Sequence, residues 1–197
     1  ATFVHVSDVG AMTPGGDSPD ATEVFQEGIR FPGIKLVERG KLRRDVFDAF
    51  THMTRQPDAV GLDLKCEIAA NNVAKARVQA MYEQYGPEMM NAVSTEMIHY
   101  TETVLRSRLR EIPDGTWSET LTIEADGPRR LKLTLRKEGD QLTFDFTGTD
   151  KQVGKGINLP YHGTAGFCFG AILSCPAYDL PKNHGVLRPM TVVAPEG

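Results

Sequence analysis

Apolar residues along the chain are spaced first as in a strand, then as in helices, then as in strands again. Residues 1–9, headed by Thr2-Phe3-Val4, read as a strand, and residues 10–34, rich in Gly, Pro and Asp, as a loop. So long an irregular segment is uncommon inside a compact domain and is often functional. Ile34 to Val37 reads as a short strand turning at Arg39-Gly40. From Leu42 the period becomes helical, with Leu42, Val46, Phe50 and Met53 on one face. Gln56-Pro57-Asp58 ends that helix. A longer one runs from Asp58 to Tyr85 along Val60, Leu64, Ile68, Val78, Met81 and Tyr85, with Asn71 and Asn72 interrupting the line. Gly86 suits its C-terminal cap and Pro87 the first turn of the next helix. There Met90, Val93, Met97, Tyr100, Val104 and Leu109 follow near-heptad spacing until Pro113-Asp114-Gly115 supplies a turn.

The period then falls to two. Trp117, Leu121 and Ile123, then Leu131, Leu133 and Leu135, then Leu142, Phe144 and Phe146 alternate with polar neighbours. The turns at Ala125-Asp126-Gly127 and Glu138-Gly139-Asp140 are short, which predicts an antiparallel meander. A glycine-rich stretch from Gly148 to Gly166 follows, then a short apolar helix over Thr164 to Ser174 and a last strand over Leu187 to Val193. The expected fold is α+β, with mixed or antiparallel sheet segments and a helical insert. Three regions follow: a strand and loop over 1–40, helices over 41–112, and a meander with its glycine-rich sequel over 113–197. The chain starts without Met and stops just past a β-prone run, so an internal portion of a larger subunit is expected.

Composition narrows the function. A net charge of −4 gives no electrostatic reason to expect nucleic acid. Three cysteines, Cys66, Cys168 and Cys175, form no C-x-x-C pair, which suits a reducing compartment. No run approaches a membrane span and no signal peptide is visible, so the cytoplasm is the default expectation.

Few residues carry chemistry on their own. His5 and Asp8 offer a neutral imidazole and a carboxylate, a donor pair suited to Zn or Mn. On an extended strand, residues three apart point to opposite faces, so convergence needs a bend near Ser7-Asp8. The alternative is a structural His and an Asp that caps a turn. The stretch from Gly148 to Gly156 has five residues between Gly148 and Gly154, and Gly156 follows Lys155, so it departs from a phosphate loop and reads as a turn. Cys66 and Cys168 read as packed. His52 and His99 take helix boundary positions, and His162 and His184 sit in loops. There is no nucleophile elbow. Met89, Met90 and Met97 read either as core filling or as a subunit-contact face.

Several segments together resemble the hydantoinase B / 5-oxoprolinase family, which includes the related acetone and acetophenone carboxylase subunits. They are HVSDVGAMTPG (His5 to Gly15), PDATEVFQEGIRFPGIKL (Pro19 to Leu36), DLKCEIAANNVAKAR (Asp63 to Arg77), IPDGTW (Ile112 to Trp117), LTFDFTGTDKQVGKGIN (Leu142 to Asn158) and YDLPKNHGVLRPMTVVAPEG (Tyr178 to Gly197), in the family's order. The resemblance implies that His5 and Asp8 are metal ligands, the remaining His and Asp ligands lying upstream of Ala1. Ala11 stands where the family motif has its second glycine. It also implies a hydantoinase A-like partner subunit that uses ATP with Mg, and a small carbonyl substrate. The reaction implied is ATP-dependent hydrolysis of a cyclic amide of the hydantoin or 5-oxoproline type. The alternatives are ketone carboxylation and a non-catalytic assembly role.

Overall fold

The computed structural model describes residues 21–26, 31–124 and 127–195. The strand expected over 1–9, with His5 and Asp8, lies outside them. The chain divides into two compact units. One reaches to Gln84 and takes in Gly154–Gly156; the other comprises Tyr85–Val153 and the chain from Ile157 onward.

In the first unit, β1 (Val37–Glu38) and β2 (Lys41–Leu42) form an antiparallel hairpin. Arg39 and Gly40 both have positive φ, 49° and 78°, as a two-residue turn matched to strand twist requires. Leu42 therefore belongs to a strand rather than to the helical face expected from it. Helix α1 (Arg44–His52) carries Asp45 in its first turn, where an acid complements the helix dipole. Helix α2 (Pro57–Glu111) starts on a proline whose missing N–H costs nothing there. Val60 and Leu64 are buried and Ile68 is half-buried, but every side chain from Ala69 to Tyr85 is exposed. The expected apolar line thus buries only its first part; Val78, Met81 and Tyr85 are exposed and pack into no core among the described residues. At Gly86 the helix is interrupted, with φ 75° and ψ 158°. Glycine alone takes that conformation without strain, and Pro87 restarts the helix, as the sequence predicts.

The second unit has a different helical seam from the one expected. Thr101, Leu105 and Leu109 are buried, whereas Val93, Met97 and Tyr100 are exposed. The true seam contains a threonine that hydrophobic spacing passes over. Its hydroxyl donates to the Met97 carbonyl at 2.9 Å and accepts from Asn183 Nδ2 at 2.9 Å, so its burial leaves no polar group unmet. Met89 and Met97 are exposed and Met90 is half-buried, so these methionines do not fill core as the commoner reading expected.

The sheet comprises β3 (Gly115–Glu124), β4 (Pro128–Glu138), β5 (Gln141–Asp145) and β6 (Met190–Val193), in that spatial order. The first three form the expected antiparallel meander, with Trp117 opposite Leu135 and Leu135 opposite Phe144. β6 runs parallel to β5, Val192 opposite Phe144. Parallel neighbours need a crossover, and here it contains α3 (Tyr161–Ser174) and a single helical turn at His184–Val186. Leu105 and Leu109 of α2 and Cys168 and Ile172 of α3 pack with Leu142 and Phe144, flanked by Leu133, Leu135, Met190 and Val192. That helical layer stops short of the edge strand, so Trp117, Leu121 and Ile123, on the same sheet face, stay exposed.

Ion pairs tie the layers together. Arg106 reaches Glu102 and Asp140, each at 2.9 Å, and Arg108 clasps Asp179 at 2.6 Å. The buried Lys137 donates to Asp114 at 2.6 Å and to the Ile112 carbonyl. Lys137 holds the Asp114 carboxyl below its ordinary range, Arg188 and Arg106 do so for Glu102, and Arg108 for Asp179. At Asp140 desolvation pushes upward, but Arg110 and Arg106 together outweigh it. Carboxylates lowered on folding stabilise the fold above their unfolded pKa, and that stability is lost as pH falls through the folded values. Circular dichroism across an acid titration should therefore stay flat from pH 7 to about 5 and fall below about 4. A loss of structure centred in the histidine range would contradict this.

Candidate functional site

Where the helical layer ends, the second unit has an open cleft of about 620 Å³, within the range of small-molecule sites. Its floor comes from the sheet, with Ile123 and Leu131; α3 supplies Thr164 and Phe167, the loop after β5 supplies most of the rest, and Arg129 and Arg130 of β4 and Ala194 and Pro195 after β6 complete the lining. Most of the lining is apolar, and Phe167 is 74% exposed. An aromatic ring so open to water carries a solvation cost unless something covers it.

The loop is fastened at both ends. Thr149 Oγ1 accepts from Lys132 N and donates to Lys132 O, both at 3.1 Å. Asp150 accepts from Arg130 N at 2.7 Å and from Arg130 Nη2 at 3.2 Å, while its own N–H reaches Arg130 O at 2.9 Å. Farther on, Asn158 Oδ1 accepts from Val153 N at 2.9 Å and Asn158 Nδ2 donates to Val153 O at 2.5 Å. Lys151 and Gln152 lie between these clamps. Both line the cleft, both are exposed, and neither has a hydrogen-bond partner among the described residues. A fixed backbone thus holds two free polar heads over an apolar basin.

This is the stretch the sequence suggests is only a glycine-rich turn. Its glycines do serve the chain path, but Asp150 and Asn158 give the loop its rigidity. The signal was present as two Asx residues flanking Lys-Gln, a pattern shared with many ordinary turns.

The other candidates fall elsewhere. His5 and Asp8 lie outside the described residues, and among those residues no group of three or more His, Cys, Asp or Glu is placed to hold a metal ion. Cys66 is exposed, which corrects its reading as packed, because α2 turns it away from Val60 and Leu64. Cys168 is buried as expected, and desolvation pushes its thiol upward, away from nucleophile chemistry. His52 binds the Asp48 carbonyl at 2.8 Å through Nδ1, and His162 stands edge-on to Tyr161. His99 and His184 are exposed. One acid was missed: Glu67 has a water-shielded Oε1 with no partner among the described residues. Burial, then the nearby Asp63, raises its carboxyl.

A two-layer α+β unit with a mixed sheet and a lined cleft defines the structural class. The Hydantoinase B/oxoprolinase family model matches residues 1–197, and the chain belongs to that family. It is 32% identical, over its whole length, to the B component of a putative D-/L-hydantoinase of Pseudomonas sp. (strain NS671), of which it covers 36%. It is 28% identical to the acetophenone carboxylase delta subunit of Aromatoleum aromaticum, over 94% of this chain and 28% of that one. The crystal structure of the ATP-dependent caprolactamase from Pseudomonas jessenii superposes with a TM-score of 0.82 and 26% identity, over 95% of this chain and 33% of that one. The chain thus spans about a third of the length of the relatives it matches. Among the described residues, no helix is long and apolar enough to cross a membrane.

Proposed function

We propose that this chain is part of a hydantoinase B-like subunit of an ATP-dependent, metal-containing enzyme that opens a cyclic amide. The observation that carries the reading is its joint likeness to a D-/L-hydantoinase component and to an ATP-dependent caprolactamase, two proteins named for cyclic amides. An unstrained amide resists water because resonance holds its C–N bond. Transfer of a phosphoryl group from ATP to the carbonyl oxygen removes that resonance and leaves a carbon that water can attack. The C–N bond then breaks and the nitrogen takes up a proton, leaving an acyl phosphate that a second water cleaves to a carboxylate and inorganic phosphate; ADP is the other product, formed at the first transfer. A hydantoinase A-like partner using ATP with Mg fits this division of labour, because no stretch here has phosphate-loop spacing.

The metal belongs to the same proposal. His5 and Asp8 have the donor chemistry for Zn or Mn, a Lewis acid able to stabilise negative charge on oxygen. The described residues offer no alternative cluster.

A second reading, ATP-dependent carboxylation of a ketone, is favoured by the 28% identity to the acetophenone carboxylase delta subunit. With the intact protein and its ATP-using partner, ADP release should rise on adding a cyclic amide without bicarbonate. Release that instead needs a ketone and bicarbonate would move the assignment to carboxylation.

A further inference from the structure

We propose that the cleft between α3 and the loop after β5 binds the apolar ring of a cyclic amide, with Gln152 reading the amide edge. The choice of ligand rests on the ring-opening function proposed above; the site itself rests on the cleft. A ring that closes through an amide holds its N–H and C=O on the same side, so donor and acceptor point outward along one edge. A primary carboxamide presents a matching acceptor and donor on its own edge. Gln152 is such a carboxamide, free of partners among the described residues. The clamps Asp150–Arg130 and Asn158–Val153 hold the backbone on either side of it. Two hydrogen bonds can therefore form at once, with little backbone freedom lost on binding.

The basin below suits the rest of the ligand. Leu131, Phe146, Val153, Ile157, Leu159 and Phe167 offer methylene and aromatic surface, and charged side chains of β4 and of the loop line the cleft beside them. A volume near 620 Å³ exceeds a bare ring, so rings carrying an apolar substituent also fit. Free acyclic amides prefer the trans form and present donor and acceptor on opposite sides, so they match one half of the Gln152 edge at a time. Selection for the closed ring thus follows from geometry.

The test is a binding titration, without ATP, on the intact protein with its partner subunit. Caprolactam is compared with N-methylcaprolactam, which keeps the carbonyl but lacks the N–H. Wild type should bind the parent ring about tenfold more tightly than the methylated one, a difference of the size one well-placed hydrogen bond supports. Gln152→Ala should weaken the parent about tenfold and erase the preference. Gln152→Glu, which keeps the acceptor and loses the donor, should retain the preference for the N–H. Thermal melts on each variant report folding, and the exposed position predicts that they match wild type. No binding of either ring, or a methyl-group penalty equal in wild type and Gln152→Ala, would overturn the proposal. Ring binding with this dependence but no ATP-driven opening would instead overturn the proposed function and leave the site standing.

Discussion

His5→Ala and Asp8→Ala should each lower turnover of the intact enzyme more than about 100-fold and strip its bound metal. Zn and Mn take three or more protein donors in a catalytic site, so losing one imidazole or carboxylate leaves a shell that no longer retains the ion. Metal content by mass spectrometry must fall in step with turnover, while the melting profile of the second unit stays in place. His5→Asn, which keeps a polar side chain but a far weaker metal donor, should behave as His5→Ala does. Full metal content and full turnover in both alanine variants would remove these residues from the site.

The second large effect is on folding. Gly185→Ala should destabilise the second unit by about 3 kcal/mol or more, lowering its melting temperature by about 10 °C or more. Gly185 is buried against α2. A methyl group there would lie inside van der Waals contact of the Ile98 carbonyl oxygen and 2.9 Å from Glu102 N, both backbone atoms of a helix that cannot give way locally. The same turn carries Asn183, whose side chain accepts from Gly185 N at 2.8 Å and donates to Met97 O at 3.1 Å and to Thr101 Oγ1. Pushing the turn off the helix would therefore cost the seam threonine its partner as well. Chemical denaturation of wild type and Gly185→Ala measures the difference directly. A change below about 0.5 kcal/mol, the range of ordinary surface substitutions, would show that the turn does not pack as described.

Much of this architecture is legible in the order of residues, because it depends on local chemistry. The meander follows from alternation and from two short turns, the break at Gly86 from a glycine next to a proline, and α3 from an apolar run ending at Ser174. What escaped depends on partners distant in sequence. The seam of α2 uses Thr101, acceptable in a core only because Asn183, eighty-two positions later, meets its hydroxyl. The parallel pairing of β6 depends on a crossover whose path no spacing rule reveals. The cleft is hidden in the sequence for a related reason. Asp150 and Asn158 look like turn residues until the strand and backbone they clamp are in view, and only then do Lys151 and Gln152 stand out as free. The metal proposal has the opposite origin. It came from the resemblance of one short motif, since His5-x-x-Asp8 on a straight strand would point its two donors apart.

The central claim is that ATP activates the carbonyl of a cyclic amide before water opens the ring. The direct measurement follows a heavy-oxygen label placed in the carbonyl of the cyclic amide, with the intact enzyme and ATP in ordinary water. If the carbonyl oxygen is phosphorylated, the first water opens the ring to an acyl phosphate whose bridging oxygen carries the label. A second water attacking the carbon of that acyl phosphate sends the label into inorganic phosphate, and added hydroxylamine captures the same species as an acyl hydroxamate. Labelled phosphate, or an acyl hydroxamate formed only with ATP, is the expected result. Ring opening with unlabelled phosphate and no acyl hydroxamate would contradict the account.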